Sequence, residues 1–328
     1  MTSEGILVSV VIPVYNGERF VRRTLAAALA QTYQQLEIVV VDDGSTDRSP
    51  KIVEAEAERD KRVRLFRTDR SGVAAARNFG VKQAQGDLIA LLDADDLWHP
   101  DKLSRQVQVM LESSDNVGVV YCWSIGIDED DFVLPWLKAN STSSGWVKAD
   151  LAKGNFIQNS SSTLIRRSHF DAVNGYDVNL KPQGAEDWKF YLSLSDICEF
   201  VAVPEYLVGY RQWGGSLSRN VYGMAQSIDR VDRWLKEKWP GLPKELGRAR
   251  RANANLYLAW MALDNDQLIA ALRFAAKAFL ARPTLALDRW ILDRFVAQSF
   301  GLRWIGRRQR TAFRFNEFRS LPAETHES

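Results

Sequence analysis

The sequence lacks a marked excess of charge of either sign. Its 328 residues contain 43 Lys and Arg against 41 Asp and Glu, which gives a formal net charge of +2. So close a balance provides no overall attraction to nucleic acid or to acidic partners, and no nucleic-acid partner is predicted. Hydrophobic residues make up 46% and charged residues 26% of the chain. This is ordinary globular composition, and it excludes a disordered or fibrous protein.

Cysteine is scarce, and long apolar runs are missing. Cys122 and Cys198 are too few for a disulfide framework in a chain of this size, and neither lies at a spacing typical of metal ligands. Two buried thiols in a reducing compartment are expected instead. No basic segment precedes the first apolar run, which is interrupted at Pro13 and Asn16. These features predict a protein without signal peptide or membrane span, located in the cytoplasm.

What the sequence contains, up to about residue 215, is a regular alternation of β-rich runs and helical patterns. Buried strands are predicted at two runs rich in β-branched residues, 6–15 and 36–41, and further strands at 63–66 and 88–92. Apolar residues at helical spacing predict helices at 20–31, 50–59 and 73–83. Such an alternation predicts an α/β fold, a mostly parallel open sheet flanked by helices. Ligands of these sheets bind beyond the carboxyl ends of the strands.

Acidic residues gather at two of these strand ends. Asp42 and Asp43 end the second strand, and Asp93, Asp95 and Asp96 follow the fourth. Carboxylates crowded at one edge of a sheet repel each other unless water or cations surround them. In an Asp-x-Asp pattern the first and third side chains can share a face, which lets one of them hold a hard divalent cation. The alternative is an acidic cap on the next helix, for which Asp96 is the candidate.

Several motifs occur in one order along the chain. They are Pro13-Val14-Tyr15-Asn16, Asp42-Asp43-Gly44-Ser45, the segment Gly72 to Gly80 with Arg77, Asp93-Ala94-Asp95, Asn174-Gly175-Tyr176-Asp177 and Glu186-Asp187-Trp188. Together they resemble the family 2 glycosyltransferases of GT-A fold, over residues 6–218. The resemblance implies an inverting glycosyltransferase that moves a sugar from a nucleotide-diphospho-sugar, with a UDP-sugar favoured. The implied acceptor is a hydroxyl of a glycan or lipid-linked molecule, in surface polysaccharide synthesis.

The resemblance also implies the residues of a donor site. The nucleoside pocket would be formed by Pro13, Val14, Tyr15, Asn16, Asp42 and Asp43, with one of the two aspartates on the base. Arg77 is a candidate to contact the diphosphate or a base carbonyl, with an ordinary surface arginine as the alternative, and Arg211 is a candidate to contact the diphosphate. Asp93, Ala94 and Asp95 belong to the donor site, with Asp93 near the ribose or sugar. The divalent cation, Mn²⁺ or Mg²⁺, is expected on Asp95, with Asp93 as the second candidate ligand.

The motif Glu186-Asp187 supplies the candidate catalytic residues. Transfer with inversion needs a base on the side of the anomeric carbon opposite the leaving diphosphate. The resemblance assigns this base to Asp187, and Glu186 is expected to orient the acceptor or to cap the following helix. Acidic residues also suit the start of the helix predicted at 188–194, because they interact favourably with its dipole.

One residue departs from the family pattern. Trp213 stands two residues after Arg211, where the family usually has a histidine. Tryptophan offers only an N–H donor and cannot bind a metal. Either Asp95, phosphate and water hold the cation alone, or metal dependence is weak; stacking of Trp213 on a sugar is a further alternative. The departure leaves open another class of protein, a GT-A-like scaffold that binds nucleotide or glycan without turnover.

Composition predicts two regions, a GT-A domain at 1–218 and a helical region at 219–328, the former divided near residue 98 into nucleotide and acceptor halves. Within the acceptor half, 128–144 is expected to form a loop over the acceptor, with Trp136 and Trp146 as sugar platforms or half-buried core. Beyond it, 252–263 and 267–280 predict a helical hairpin that packs on the catalytic domain or on another chain, including a second copy. The basic aromatic stretch 302–315 predicts contact with an anionic membrane or a solvated helix end.

Overall fold

A computed structural model describes residues 5–181, 184–215, 220–284 and 314–315. The strands in these ranges are β1 (Val8–Val14), β2 (Leu36–Asp43), β3 (Val63–Thr68), β4 (Leu88–Leu91), β5 (Leu97–Trp98), β6 (Val117–Ile127), β7 (Val133–Ala139), β8 (Thr163–Arg166) and β9 (Glu199–Arg211). The helices are α1 (Val21–Leu29), α2 (Ser49–Arg59), α3 (Val73–Gln83), α4 (Lys102–Glu112), α5 (Lys148–Leu151), α6 (Arg167–Ala172), α7 (Glu186–Leu194), α8 (Val221–Lys238), α9 (Lys244–Asp264) and α10 (Leu268–Ala281).

The strands form one open sheet in the order β3-β2-β1-β4-β8-β6-β9-β5, with β7 paired to β6. The first four strands are parallel, as their helical connections require. Beyond β4 the sheet is mixed, because β8 runs antiparallel to both β4 and β6, whereas β9 runs parallel to β6. The predicted α/β class and open sheet are confirmed, and the parallel pairing is concentrated in β1 to β4.

Alternate side chains of the central strands enter two separate cores. Val10 and Ile12 of β1 pack on one face with α1 and α4, whereas Val11 packs on the other face with α3 and α7. This alternation follows from the two-residue period of a strand. Both faces of β1 and β2 are covered, so these two strands are buried throughout, as the sequence predicted, whereas β3 is only partly buried.

The helices after residue 220 share the second of these cores. Val231 of α8, Leu258 of α9 and Ala271 of α10 belong to the same buried cluster as Trp188 of α7. The predicted hairpin is confirmed as α9 and α10, although α9 begins at Lys244 rather than at residue 252. These helices therefore pack on the catalytic domain. Among the helices in the described ranges, none has the length and apolarity needed to cross a bilayer.

The prediction of a loop at 128–144 is wrong, because this segment contains β7, which pairs antiparallel with β6. The acidic start of the segment is the turn between these strands, where Asp131 has a φ of 73°. Trp146 is 59% exposed, and the side chain of Trp136 lies outside the described residues, as does the stretch 302–313. Cys122 and Cys198 are free and buried, as expected.

Candidate active site

The ends of β1 and β2 meet and are held together by their turns. Val14 is the register partner of Asp42. Beyond them, the Asn16 amide donates to Ser45 Oγ at 2.9 Å, and Asn16 Oδ1 accepts from the Thr46 amide at 2.9 Å. Asn16 adopts a φ of 48°, which asparagine tolerates better than most residues. The structure thus brings the first two predicted donor motifs to one edge of the sheet.

The two aspartates that end β2 are buried and have different partners. Asp43 accepts hydrogen bonds from the amides of Ser71 (2.7 Å) and Gly72 (2.8 Å), which orders the start of α3. Asp42 accepts from Arg67 Nε at 3.3 Å on the neighbouring strand. At the mouth of this corner, Tyr15 is 43% exposed, and the Arg70 guanidinium lies 2.9 Å from the centroid of its ring.

Arg77 joins the two halves of the catalytic domain. It follows three alanines on α3, Ala74 to Ala76, and is buried. Its Nη2 is 2.6 Å from Asp93 Oδ1, and its Nη1 is 3.0 Å from Glu186 Oε1. Burial alone would lower the pKa of Arg77, but the charges of Asp93 and Glu186 outweigh it and raise the pKa. Arg77 Nε has no hydrogen-bond partner within the described ranges.

Asp96 lies in a buried network and is not a helix cap. Its carboxylate accepts from Ser161 Oγ (2.6 Å) and from the Arg211 amide (2.9 Å). The predicted cap is therefore wrong, because Asp96 is followed by β5, and α4 begins only at Lys102 with Asp101 in the cap position. Burial, together with the charges of Asp95 and Asp93, raises the pKa of Asp96.

Trp213 donates a hydrogen bond to Asp95, with 2.7 Å between Nε1 and Oδ2. Its ring packs edge-on against Phe20, at 5.2 Å between centroids. Glycine at position 215 leaves room for this ring, since a Cβ there would collide with it. Burial and the charge of Asp93 raise the pKa of Asp95 to about 6, which the Trp213 hydrogen bond opposes. The residue that replaces the family histidine thus contacts the candidate metal ligand itself.

The acidic loop, residues 93–96 between β4 and β5, suits a divalent cation that also binds the phosphates of a substrate. Asp95 offers hard carboxylate oxygens in a site where negative charge is poorly compensated. Asp93, the second candidate ligand, shares its Oδ1 with Arg77. In the described part of the chain no group of three or more His, Cys, Asp and Glu could hold a metal ion by itself. Mg²⁺ commonly binds through one or two carboxylates and completes its shell with water and substrate phosphates, which these residues fit.

Arg211 lies buried behind this loop; Nε and Nη1 donate hydrogen bonds to the protein, whereas Nη2 forms an ion pair without a hydrogen bond among the described residues. Nε is 2.5 Å from the Asp95 backbone oxygen, Nη1 is 2.6 Å from the Asp128 backbone oxygen, and Nη2 is 2.6 Å from Asp131 Oδ1. Asp131 also pairs with Arg23 at 2.9 Å. The residue that was expected on the diphosphate therefore ties the acidic loop to the β6–β7 turn.

Asp187 is the second residue of α7, on the other side of Arg77. Its Oδ1 accepts from the Trp188 amide at 2.7 Å, and its Oδ2 accepts from Asn155 Nδ2 at 3.0 Å. Burial and the neighbouring Glu186 charge raise the pKa of Asp187 to about 7, against the opposing charge of Arg77. Glu186 itself is buried and accepts from the Gly184 amide at 2.8 Å. Sequence reasoning missed Asn155, Ser161 and Asp131, since no local pattern marks them.

Comparison with known proteins agrees with this geometry. The family model for glycosyl transferase family 2 matches residues 9–173, and the chain belongs to that family. An uncharacterized glycosyltransferase of Haemophilus influenzae is 45% identical over 108 residues, 33% of this chain and 43% of the relative. One of Rickettsia typhi is 30% identical over 195 residues, 58% of this chain and 60% of the relative. The chain thus spans about half the length of these two relatives.

A longer match is to glycosyltransferase GlyG of Streptococcus pneumoniae, 29% identical over 246 residues, 70% of this chain and 79% of the relative. Among solved structures, mannosyltransferase PcManGT from Pyrobaculum calidifontis, in complex with GDP-Man and Mn²⁺, has a TM-score of 0.58 at 20% identity, covering 92% of this chain and 86% of that one. TarS of S. aureus with UDP-GlcNAc has a TM-score of 0.55 at 14% identity, covering 86% and 92%. The chain has the GT-A fold.

Proposed function

We propose that the chain is an inverting glycosyltransferase that uses a nucleotide-diphospho-sugar, with a UDP-sugar favoured. The observation that supports this most is the pair of contacts made by Arg77, at 2.6 Å from Asp93 and 3.0 Å from Glu186. Through these contacts, Arg77 links Asp93 on the candidate donor side to Glu186, which is the neighbour of the candidate base Asp187. The acceptor is a hydroxyl of a glycan or a lipid-linked molecule in surface polysaccharide synthesis, as the family resemblance implies.

The donor subsite is the corner formed by the ends of β1 and β2. Pro13 to Asn16 and the Asp42-Asp43 pair surround it, and the partly exposed ring of Tyr15, which Arg70 covers on one face, offers its other face to a base. The solved structures with UDP-GlcNAc and GDP-Man support a donor of this class. A divalent cation on Asp95 would neutralise negative charge on the departing diphosphate.

In the transfer step the acceptor oxygen forms a bond to the anomeric carbon while the bond from that carbon to the diphosphate oxygen breaks. Asp187 takes the acceptor proton, and the nucleoside diphosphate leaves with the bonding electron pair. A carboxylate whose pKa is raised to about 7 suits this role, because it is a stronger base than an exposed aspartate and still ionises near neutral pH. Asn155 and the Trp188 amide orient it.

Calorimetry with UDP, GDP and TDP, each in Mn²⁺, Mg²⁺ or EDTA, tests the donor site. We expect one nucleotide to bind with metal, and Asp95→Ala to abolish that metal dependence. We expect Asp187→Asn to keep nucleotide binding and to lose about 10³-fold or more in sugar transfer, since the general base is removed. Absence of binding by every nucleotide to the unmodified chain would refute the proposal.

The scaffold alternative is favoured by one observation, the tryptophan at position 213 in place of a metal-binding side chain. It makes a different prediction for the same protein. Nucleotide binding without turnover of any nucleotide-sugar, either to an acceptor or to water, would support the scaffold over the enzyme.

A further inference from the structure

Helix α9 is fixed against the segment that leads to the candidate base. Arg250 Nη1 donates to the Ala152 backbone oxygen at 3.2 Å, and Asn253 Nδ2 donates to the Lys153 backbone oxygen at 3.0 Å. Arg250 is buried and also pairs with Asp232 of α8 at 2.5 Å. Because residues three and four apart lie on one face of a helix, the next side chain along this face is Tyr257.

The same segment continues to Asn155, whose Nδ2 donates to Asp187 Oδ2 at 3.0 Å. Only a few residues of chain therefore separate the α9 contacts from the side chain that orients Asp187. The face of α9 that begins with Arg250 and Asn253 runs along the acceptor side of the catalytic domain.

Tyr257 is an exposed aromatic residue on this face of α9. Its side chain is 43% exposed. Nevertheless burial raises the pKa of its phenol, and the nearby Asp187 charge raises it further. Tyr257 therefore offers an accessible ring one turn beyond Asn253, which binds Lys153, and Lys153 lies two residues before the Asn155 side chain that binds Asp187. The flanking residues Leu258 and Ala259 are buried, so the backbone beneath the ring is held rigidly.

We propose that Tyr257 is an acceptor-binding residue, a platform on which the acceptor sugar ring stacks while its attacking hydroxyl reaches Asp187. The inference rests on the proposed function and extends it to the helical region, which lies beyond the part matched by the family model. An aromatic ring presents a rigid apolar face to the C–H groups of a sugar, and the phenol can hydrogen-bond a sugar hydroxyl. Two such contacts orient the acceptor, as a bimolecular transfer requires.

The test uses the full chain with Mg²⁺ and the nucleotide that calorimetry selects among UDP, GDP and TDP. Binding of methyl glycosides of glucose, galactose, mannose and N-acetylglucosamine is followed by saturation-transfer NMR. We expect at least one of them to bind the unmodified chain, and Tyr257→Ala to weaken it about tenfold, as loss of a stacked aromatic contact predicts. Tyr257→Phe keeps the ring and should weaken binding only about threefold.

Two controls separate the possible outcomes. Tyr222→Ala removes a 57% exposed tyrosine from α8 and should leave glycoside binding unchanged. Tyr257→Leu keeps side-chain bulk without the aromatic face and should match the alanine variant, which covers the case in which alanine disturbs folding. The dissociation constant of the nucleotide should stay within about twofold in every variant, because the donor side is not altered.

Equal glycoside binding by the alanine, leucine and unmodified proteins would overturn the assignment of Tyr257. So would the absence of glycoside binding to the unmodified chain when nucleotide is bound. Failure of the unmodified chain to bind any nucleotide is a separate result, which refutes the proposed function itself.

Discussion

At the scale of single residues, the hydrogen bond from Trp213 to Asp95 is the most distinctive feature of the donor side. An indole N–H cannot bind a cation, but it can hold one carboxylate oxygen and leave acceptor capacity for a metal. Trp213→Phe keeps the ring beside Phe20 and removes only this donor. We expect the metal-dependent nucleotide affinity to fall at least about tenfold, because a hydrogen bond to a charged group contributes about 1.5–3 kcal/mol.

Calorimetry in Mg²⁺ and in EDTA measures this change. Binding in EDTA should be the same for both proteins, because the cation is absent. Trp146→Phe is the matched control, since Trp146 is 59% exposed and belongs to another part of the surface. An unchanged metal dependence in Trp213→Phe would show that metal binding by Asp95 does not depend on the hydrogen bond from Trp213.

The raised pKa of Asp187 gives a pH dependence with a definite sign. A base must be deprotonated to act, and burial raises the pKa of Asp187 to about 7. We therefore expect kcat/KM for sugar transfer to rise with pH through a midpoint near 7 and to level off above it. A stopped or radiometric assay across buffers of constant ionic strength measures the profile. A flat profile between pH 5 and about pH 8 would remove Asp187 from this role.

At the scale of elements, α3 is tied to α7 and to the acidic loop by Arg77. Arg77→Ala would leave two carboxylates, Asp93 and Glu186, without their shared cation in a buried site. We expect the free energy of unfolding to fall by about 3–5 kcal/mol, which is the usual cost of breaking a buried ion pair on one side. Urea unfolding followed by circular dichroism measures it.

Arg22→Ala is the control for that experiment. Arg22 pairs with Glu56 at 2.8 Å, but its side chain is 57% exposed. Such a surface pair contributes little, so the midpoint of unfolding should barely move, by the equivalent of about 0.5 kcal/mol. If the two variants lost similar amounts of unfolding free energy, the buried ion pairs of Arg77 would not be a major source of stability.

The elements also show what local sequence could and could not predict. Strands β1, β2 and β4 are buried on both faces, so their apolar runs give strong signals, and the motifs at their ends predict a donor site at that edge of the sheet. Strand β7 was not predicted, because it is short, contains Pro135, follows an acidic turn and is flanked by polar residues. Asn155 and Ser161 acquire their roles only through contacts with residues far away in the chain, which no spacing pattern records.

At the scale of the whole molecule, the chain returns to the catalytic domain at Arg314 and Phe315. Phe315 is fully buried in a small core with Leu97 of β5, Ile125 of β6 and Val133 of β7. Its amide donates to the Asp131 backbone oxygen at 3.0 Å. Asp131 in turn pairs with Arg211, which holds the backbone of Asp95. The support of the acidic loop thus includes a residue from the far end of the sequence.

Phe315→Ala tests this support, and we expect it to lower the free energy of unfolding by about 3–5 kcal/mol, as removal of a buried phenylalanine does. Thermal and urea unfolding of the full chain measure the loss. Phe315→Leu fills most of the space and should recover more than half of it. If alanine at this position left unfolding unchanged, Phe315 would not be part of the core.

The packing of Phe315 against β5, β6 and β7 has a consequence for folding during synthesis of the protein. During translation, Asp131 is added to the chain roughly 10 to 40 s before Phe315 at common elongation rates. Throughout that interval the corner between β5, β6 and β7 lacks one of its core side chains and the hydrogen bond to Asp131. The parallel strands of the nucleotide half can pair while the chain is still growing, but this corner is completed only when the final segment emerges. Translation order therefore makes the support of the acidic loop one of the last parts of the molecule to form.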